Sequence, residues 1–332
     1  MELSNFERIY TDPRGVAGEI YRNPDGFHLR DVHIHAEVGR RVCIGHTADL
    51  HFNYCNERDM AEANPALMST LENRVWLANG ESVPNAVRCL EYLSDTDLVV
   101  VNRDTLDYLS HGAIELMNRE LWDKYPDLIV TVGGHDCVRK MQGKVNDTST
   151  REERLAIIRE AWRHDIYYTS RLVGEGVLAV ALMNDPSRFY EMQTERFAED
   201  LHRARENGYI ILMFMHEPLA TRNPRDRQTG VQDLLLPGDV NGYPRNFCDG
   251  LNPEGGHWLA GGVKSSDTTR SVYNLIVNSA DVIKGIFAGH CHSDMYNEIV
   301  AKNADGTAAV IPQYITTSNA YDGGHAMRIF VD

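Results

Sequence analysis

The stretch 282-VIKGIFAGHCH-292 joins an apolar, strand-like run directly to the histidine pair His290 and His292. Four other apolar runs are likewise followed by segments that carry carboxylate or imidazole side chains. These runs and the segments after them are Val42–Thr47 with Asp49-Leu50-His51, Leu98–Asn102 with Asp104-Thr105-Leu106-Asp107, Leu128–Val132 with Gly133-Gly134-His135-Asp136, and Tyr209–Met215 with His216. Loops that follow successive strands of an α/β sheet meet at one edge. The pattern therefore predicts one site assembled from distant segments.

The residue types in these segments indicate a metal site. Carboxylates and imidazoles are ligands that Zn, Mn and Fe accept in proteins. Asp49 and His51 are two residues apart just beyond a strand, so their side chains point to the same side and can bind one ion. His290 and His292 have the same spacing and can serve one ion each. Any one of these histidines alone is more often a hydrogen-bonded structural residue, so the prediction depends on the ordered set of five segments.

The composition is that of a globular protein. Of the 332 residues, 42% are hydrophobic and 24% are charged, close to the average for folded domains. We expect a single domain with a strand-rich N-terminal extension over about residues 1–40 and a long active-site loop insertion over about 217–264, rich in Gly, Pro and Asp. The formal charge of −15 argues against broad binding to nucleic acids or anionic membranes. A small phosphate remains possible, because bound cations reverse the local charge.

The sequence also favours a cytoplasmic location. Residues 1–7 lack the basic region and apolar run of a secretory signal. No apolar run reaches the length of about 18 residues that a membrane span needs. The six cysteines are dispersed without a CxxC pair, which indicates free thiols in a reducing compartment. The oligomeric state is left open.

Periodicity predicts alternating strands and helices. The predicted helices are Pro65–Asn79, Val83–Ser94, Ile114–Lys124, 152–163 and Arg188–Asn207, the last ending at Gly208. Besides the five strands above, the predicted strands are two or three within 17–47, Val177–Met183, Asn297–Ala301, Ala308–Thr316 and Ala326–Val331.

The order of the five segments resembles the calcineurin-like metallophosphoesterase superfamily, whose pattern is DxH, GDxxD, GNH(D/E), a single His and GHxH. The resemblance runs from Asp49 to His292. It implies an αββα fold, in which two packed β-sheets are flanked by helices and the metal site lies at the C-terminal ends of the strands. It also implies two divalent ions, which for Asp and His ligands can be Mn, Fe or Zn.

The resemblance further implies roles for individual residues. Those implied as metal ligands are Asp49, His51 and His292 for one ion, His216 and His290 for the second, and Asp104 as the bridge between the two. His135 would be the catalytic imidazole beside the leaving group, oriented by Asp107. The expected reaction is hydrolysis of a phosphate ester, a small phosphodiester or a nucleotide, by metal-bound hydroxide. The alternative is a phosphoesterase scaffold with little turnover that binds ligands.

Two positions depart from the family pattern. Arg103 stands where the family has Gly, and Gly134 stands where it has an Asn that ligates the second metal. Both changes predict a weaker second site. Arg103 and Gly134 are also candidates for substrate binding, since the guanidinium can fill the space left by Gly134 and bind the substrate phosphate. The other interpretation is that Arg103 faces solvent. Asp136 either supports the catalytic His135 or caps a turn.

Overall fold

The structure is a computed structural model that describes residues 3–62, 81–137, 150–184, 188–219, 231–236 and 266–332. The predicted helix Pro65–Asn79 and most of the segment 217–264 lie outside these residues. Within the described part, no helix is both long and apolar enough to cross a membrane. The five described cysteines, Cys43, Cys55, Cys89, Cys137 and Cys291, are free thiols.

The strands form two sheets of seven. Their bounds are β1 Glu7–Thr11, β2 Glu19–Arg22, β3 His28–Ile34, β4 Val42–Ala48, β5 Leu98–Asn102, β6 Ile129–Val130, β7 Tyr168–Val173, β8 Val177–Leu182, β9 Ile210–Met215, β10 Val231–Leu234, β11 Ile283–Ala288, β12 Met295–Lys302, β13 Ala308–Ile315 and β14 His325–Val331. The first sheet has the order β1-β2-β3-β14-β4-β5-β6, and the second has the order β10-β12-β13-β11-β9-β8-β7.

Helices cover the outer face of each sheet. Their bounds are α1 Glu57–Glu62, α2 Ser82–Leu93, α3 His111–Met117, α4 Arg151–Ala161, α5 Glu191–Asn207 and α6 Asp267–Val277, with a π-helical turn at Asn118–Trp122 and a 3₁₀ turn at His135–Cys137. Of the four apolar clusters among the described residues, the three largest lie between the sheets, under α2–α4, and under α5 and α6. The predicted αββα architecture is confirmed.

Burial explains why the strands before the predicted site are recognisable in sequence. β5, β8 and β9 are buried at every residue, because helices cover one face and the opposite sheet covers the other. Parallel strands covered on both faces are apolar throughout rather than alternating.

Local interactions determine where two of the helices begin and end. Thr150 forms a capping box with Glu153 at the start of α4, and Gly208 ends α5 with φ 69°.

The structure adds elements that the sequence patterns do not predict. β1, β7 and α6 are absent from the predictions, and the predicted strand Leu128–Val132 is reduced to Ile129–Val130. The predicted helix Ile114–Lys124 begins earlier, at His111, and becomes π-helical at Asn118. β1–β3, which all lie within the predicted N-terminal extension, join the first sheet. The segment expected to be a loop contains strand β10.

Arg30 links the two sheets through the core. Its side chain lies on β3 and is only 1% exposed. Two of its nitrogens donate to the carbonyl of Ala17, at 2.9 and 2.8 Å. Nη1 reaches the second sheet and donates to the carbonyls of Met295 at 3.1 Å and Ile315 at 3.2 Å. One guanidinium therefore fixes the distance between the sheets beside β12 and β13.

Replacing Arg30 should cost far more stability than replacing an exposed arginine. Arg30→Met removes four hydrogen bonds to buried carbonyls, and we expect the free energy of unfolding to fall by about 2–4 kcal/mol. The control is Arg8→Met, which removes a 2.9 Å ion pair with Glu19 from a side chain that is 58% exposed. Its effect should stay below about 1 kcal/mol. Urea denaturation measures both, and equal losses would contradict the bridging role.

Candidate metal centre

The structure brings the five predicted segments together at one edge of the two sheets. β4, β5 and β6 are parallel neighbours in the first sheet, and β9 and β11 are parallel neighbours in the second. Backbone hydrogen bonds continue this pairing beyond the strand ends. The N–H of Asp49 donates to the carbonyl of Arg103 at 3.0 Å, and the N–H of Gly289 donates to the carbonyl of His216 at 3.1 Å. The loops thus converge from both sheets.

The backbone of these loops is strained. Six of the seven described non-glycine residues with positive φ lie in them, and their angles are 56° at Asp49, 49° at His51, 45° at Arg103, 48° at Asp104, 70° at His290 and 50° at His292. Such left-handed conformations cost on the order of 1 kcal/mol or more for side chains other than glycine. Strain of this kind persists only where the surrounding fold imposes it, and it makes this edge a candidate functional site.

Two glycines leave room for the carboxylates. A Cβ at Gly133 would lie 2.1 Å from Oδ1 of Asp104. A Cβ at Gly289 would lie 2.4 Å from Oδ2 of Asp49. Both distances are far inside van der Waals contact, so glycine is required at both positions for this packing.

The first donor group consists of Asp49, His51 and His292. One ligand atom from each lies within 4.8 Å of the others. Nε2 of His292 is 3.4 Å from Nε2 of His51 and 3.8 Å from Oδ1 of Asp49. His51 is oriented from behind, because its Nδ1 lies 3.1 Å from the carboxylate of Asp107. A carboxylate behind a histidine in this way directs the other ring nitrogen toward a ligand.

The second donor group consists of Asp104, His216 and His290, whose ligand atoms also lie within 4.8 Å of one another. Nε2 of His216 is 3.3 Å from Oδ2 of Asp104 and 2.8 Å from Nδ1 of His290. His216 touches the first group as well, since its Nδ1 is 3.9 Å from Oδ1 of Asp49. The two groups are therefore adjacent and form one binuclear donor set.

His135 and Asp107 lie beside the first group. Nδ1 of His135 is 2.9 Å from the backbone carbonyl of Asp107 and 3.5 Å from its carboxylate. Asp107 thus contacts two imidazoles, because its carboxylate also contacts His51. His135 is 27% exposed, whereas His51 is 6% and His216 is 1% exposed. Among these three imidazoles, His135 is the one most open to a bound substrate.

Burial and neighbouring charges shift the pKa values of the donor side chains. Burial, with a contribution from Asp104, raises the pKa of Asp49 to about 6. For Asp104 burial acts in the same direction, but the positive charges of His216 and His135 outweigh it and hold the pKa well below its usual range. Burial acts to lower the pKa of His216, but the Asp104 carboxylate outweighs it and raises the value to about 9. Burial lowers the pKa of His292 to about 3. The charged forms of Asp104 and His216 thus stabilise each other, whereas burial favours the neutral forms of Asp49 and His292.

The donor atoms fit divalent cations. Oδ1 of Asp49 is buried and makes no hydrogen bond, although it lies within 4 Å of nitrogens of two histidines. Nδ1 of His216 is also buried without a hydrogen-bond partner. A buried carboxylate oxygen and a buried imidazole nitrogen left without hydrogen bonds are costly unless a ligand completes them. A cation at this edge would use these lone pairs and take the place of the proton on His216.

The structure decides one question about Arg103. The side chain is 0% exposed, and Nη1 donates to Oδ1 of Asn184 at 3.2 Å. The interpretation that Arg103 faces solvent is therefore wrong. Gly134 begins the turn that leads into the 3₁₀ helix, where its carbonyl accepts from the N–H of Cys137 at 3.1 Å. Binding of substrate by Arg103 and Gly134 stays a prediction.

Three residues support the candidate site from outside the two donor groups. Asp136 is partly predicted by the motif pattern, and Asn102 and Asn184 are not predicted by it. Asp136 is fully buried and accepts from the N–H groups of Leu106 and Gly133, both at 2.7 Å, so it joins the second and third motifs. Asn102 and Asn184 are fully buried amides at the ends of strands. A polar residue that ends an otherwise apolar strand is the only sequence signal for Asn102. Asn184 carries a similar signal, because it is the first polar residue after the apolar run Val177–Met183.

No protein-family model and no curated protein sequence matches this chain. Among solved structures, it is similar to a dimetal phosphatase from Danio rerio, at 12% identity and a TM-score of 0.38 over 85% of this chain and 88% of that one. It is also similar to a purple acid phosphatase from seeds of yellow lupin, Lupinus luteus, at 10% identity and a TM-score of 0.40. This match covers 98% of this chain and 56% of the lupin protein. At such low similarity, the basis for function is the donor atoms themselves.

Removing Asp104 should disrupt metal binding more than removing any peripheral carboxylate. Asp104→Ala deletes a donor 3.3 Å from His216. We expect the affinity for Mn²⁺ to fall by at least about tenfold, and the bound metal to fall below one ion per chain after dialysis. Asp97→Ala is the control. Like Asp104, which accepts from the N–H of His135, Asp97 accepts from a backbone N–H, that of Cys43, but its other partner is Arg40. Elemental analysis measures the number of bound metal ions per chain in both variants. Full metal content in Asp104→Ala would exclude Asp104 as a metal ligand.

Proposed function

We propose that this chain hydrolyses a phosphate ester in a reaction that depends on two divalent metal ions. The observation that carries the proposal is the pair of adjacent donor groups at the strand ends, with the more exposed His135 beside them. The order of the five motifs, which resembles the metallophosphoesterase pattern, supports the same reaction. The donor types suit Mn, Fe or Zn, and which of these is used depends on availability as much as on the ligands.

The residues divide into ligands and a proton donor. Asp49, His51 and His292 would hold one ion, His216 and His290 would hold the other, and Asp104 would bridge them. Bound in this way, two divalent ions supply Lewis acidity that polarises phosphoryl oxygens and lowers the pKa of water. The strained, buried loops keep the ligands in place before any ion arrives, so little ordering is needed on binding.

His135 is proposed to protonate the oxygen of the leaving group. The contact between its Nδ1 and the carbonyl of Asp107 directs Nδ1–H toward that oxygen and leaves Nε2 to face the substrate. The carboxylate of Asp107, 3.5 Å from the same Nδ1, stabilises the imidazolium form. A positioned imidazole of this kind contributes about 10²–10⁴-fold to the rate.

The proposed substrate is a small phosphodiester or a nucleotide, and the proposed partner is this small molecule alone. A net charge of −15 disfavours long polyanions, while two cations at the site would attract a single phosphate. The long segment that begins just after His216 supports a pocket rather than a flat docking face. We propose a cytoplasmic location on the basis of the dispersed free cysteines.

A second candidate is a ligand-binding scaffold with little turnover. The observation that favours it is the fully buried guanidinium of Arg103, one residue before Asp104. A permanent cation there disfavours a second dication electrostatically. This candidate would hold one ion and bind phosphate esters without hydrolysing them.

A hydrolysis screen beside elemental analysis tests the proposal. The protein is loaded separately with Mn²⁺, Fe²⁺ and Zn²⁺ and assayed with chromogenic phosphate monoesters and diesters. The proposal expects close to two ions per chain and turnover that is lost on chelation. One ion per chain with ester binding and no turnover would support the scaffold instead, and no bound metal would exclude both.

The role of His135 makes a prediction about leaving groups. His135→Ala should keep its metal but lose about 10²–10⁴-fold in turnover for esters with poor leaving groups. Esters whose leaving groups depart without protonation should lose far less. His202→Ala is the control, because His202 is 73% exposed on α5 and pairs with Glu206. A loss independent of the leaving-group pKa, read from steady-state kinetics on a series of aryl esters, would remove His135 from the acid role.

A further inference from the structure

Asn184 holds the peptide that follows the ligand His216. Its side chain is fully buried just beyond the end of β8. Oδ1 accepts from the N–H of Glu217 at 3.1 Å, and Nδ2 donates to the carbonyl of the same residue at 2.7 Å. One amide therefore pairs with both backbone polar groups of Glu217, the N–H and the carbonyl. Such a two-point contact sets the direction in which the chain leaves β9.

Arg103 reaches the same amide from the other sheet. It follows β5 of the first sheet, and its Nη1 donates to Oδ1 of Asn184 at 3.2 Å. Its own peptide is held at the other end, because its carbonyl accepts from the N–H of Asp49 at 3.0 Å. Its φ of 45° places the side chain and Asp104 on a strained turn. Arg103 thus connects the loop of Asp104 to the loop of His216 through the side chain of Asn184.

We infer that Arg103 and Asn184 are positioning residues that hold His216 against Asp104 and thereby set the metal affinity of the second donor group. The 3.3 Å contact between Nε2 of His216 and Oδ2 of Asp104 crosses between the two sheets. The hydrogen bonds of Asn184 link the same two loops from behind. This inference rests on the proposed metal-dependent function.

The chemistry of arginine suits this role. The side chain is long enough to cross from one sheet to the other. Its guanidinium is planar, rigid and always charged, so its donors keep a fixed direction. A buried cation needs nearby negative charge. The fully buried carboxylate of Asp136, one residue after His135, lies within its electrostatic reach. Glycine, which the family has at this position, could make none of these contacts.

Calorimetric titration with Mn²⁺ tests the inference. The wild type should bind in two steps, and the single variants His292→Ala and His290→Ala identify the steps of the first and second groups. Asn184→Ala should weaken the second-group step by about 10–100-fold while changing the first-group step less than about threefold. Arg103→Met, which keeps length without charge or donors, should also weaken the second-group step, and an unchanged or tighter second-group step would remove Arg103 from the positioning role.

Two further variants distinguish the positioning role from a general loss of stability. Asn184→Asp keeps the acceptor for Arg103 and Glu217 but loses the donor to the Glu217 carbonyl, so its loss should be smaller than that of Asn184→Ala. Asn23→Ala is the matched control, because Asn23 is buried and also accepts from a backbone N–H, at 2.8 Å from Phe27, far along the chain from the ligands. It should lower the unfolding temperature without changing either binding step.

The outcomes separate the inference from the proposed function. Two unchanged binding steps in Asn184→Ala and Asn184→Asp would overturn the positioning role while leaving the metal-dependent function intact. Equal weakening of both steps would overturn it too, since that is the mark of a general structural defect. A wild type that binds no Mn²⁺, Fe²⁺ or Zn²⁺ would overturn the proposed function and the inference together.

Discussion

The candidate metal centre depends on the side-chain amide of Asn102, which ties the two sheets together at the edge where the candidate ligands emerge. Asn102 ends β5 in the first sheet, and its Nδ2 lies 3.1 Å from the carbonyl of Met215 and 2.8 Å from that of Phe287, both in the second sheet. The same nitrogen is 2.9 Å from Nε2 of His46 on β4. Burial lowers the pKa of His46 to about 3, so this imidazole is neutral and can share one of the two amide hydrogens. One amide thus aligns the ends of β4, β5, β9 and β11.

This alignment explains how a strained and highly charged edge can exist at all. The positive φ angles and the buried carboxylates each cost free energy. The apolar cluster between the sheets and the cross-sheet hydrogen bonds of Arg30 and Asn102 supply the rigidity that keeps them in place. Rigid strands that carry a strained ligand set are what a preorganised metal site requires. The same rigidity makes Gly133 and Gly289 indispensable, because the carboxylates pack against their backbones.

Elements with a strong local signal were predictable. β8, β9 and β11 follow the apolar runs within one residue at each end, and α5 ends at Gly208 as its sequence indicates. β1 and β7 were missed because both are edge strands whose residues are mostly part-exposed, so their sequences lack an apolar run. The sequence also did not predict that the α-helix that begins at His111 ends at Met117. The π-helical turn at Asn118–Trp122 is a backbone rearrangement that periodicity does not reveal.

The sequence by itself determined which side chains meet. The spacing of carboxylates and imidazoles after five buried strands is local information, and parallel strands bring such positions to one edge whatever the details of packing. Only the tertiary structure decided where Arg103 points and what supports the ligands. Contacts such as Arg103 with Asn184, or Asp136 with Leu106, join residues 81 and 30 positions apart. Their existence depends on the distance between the two sheets and on the strained backbone of the loops, which arise only when the whole core is packed.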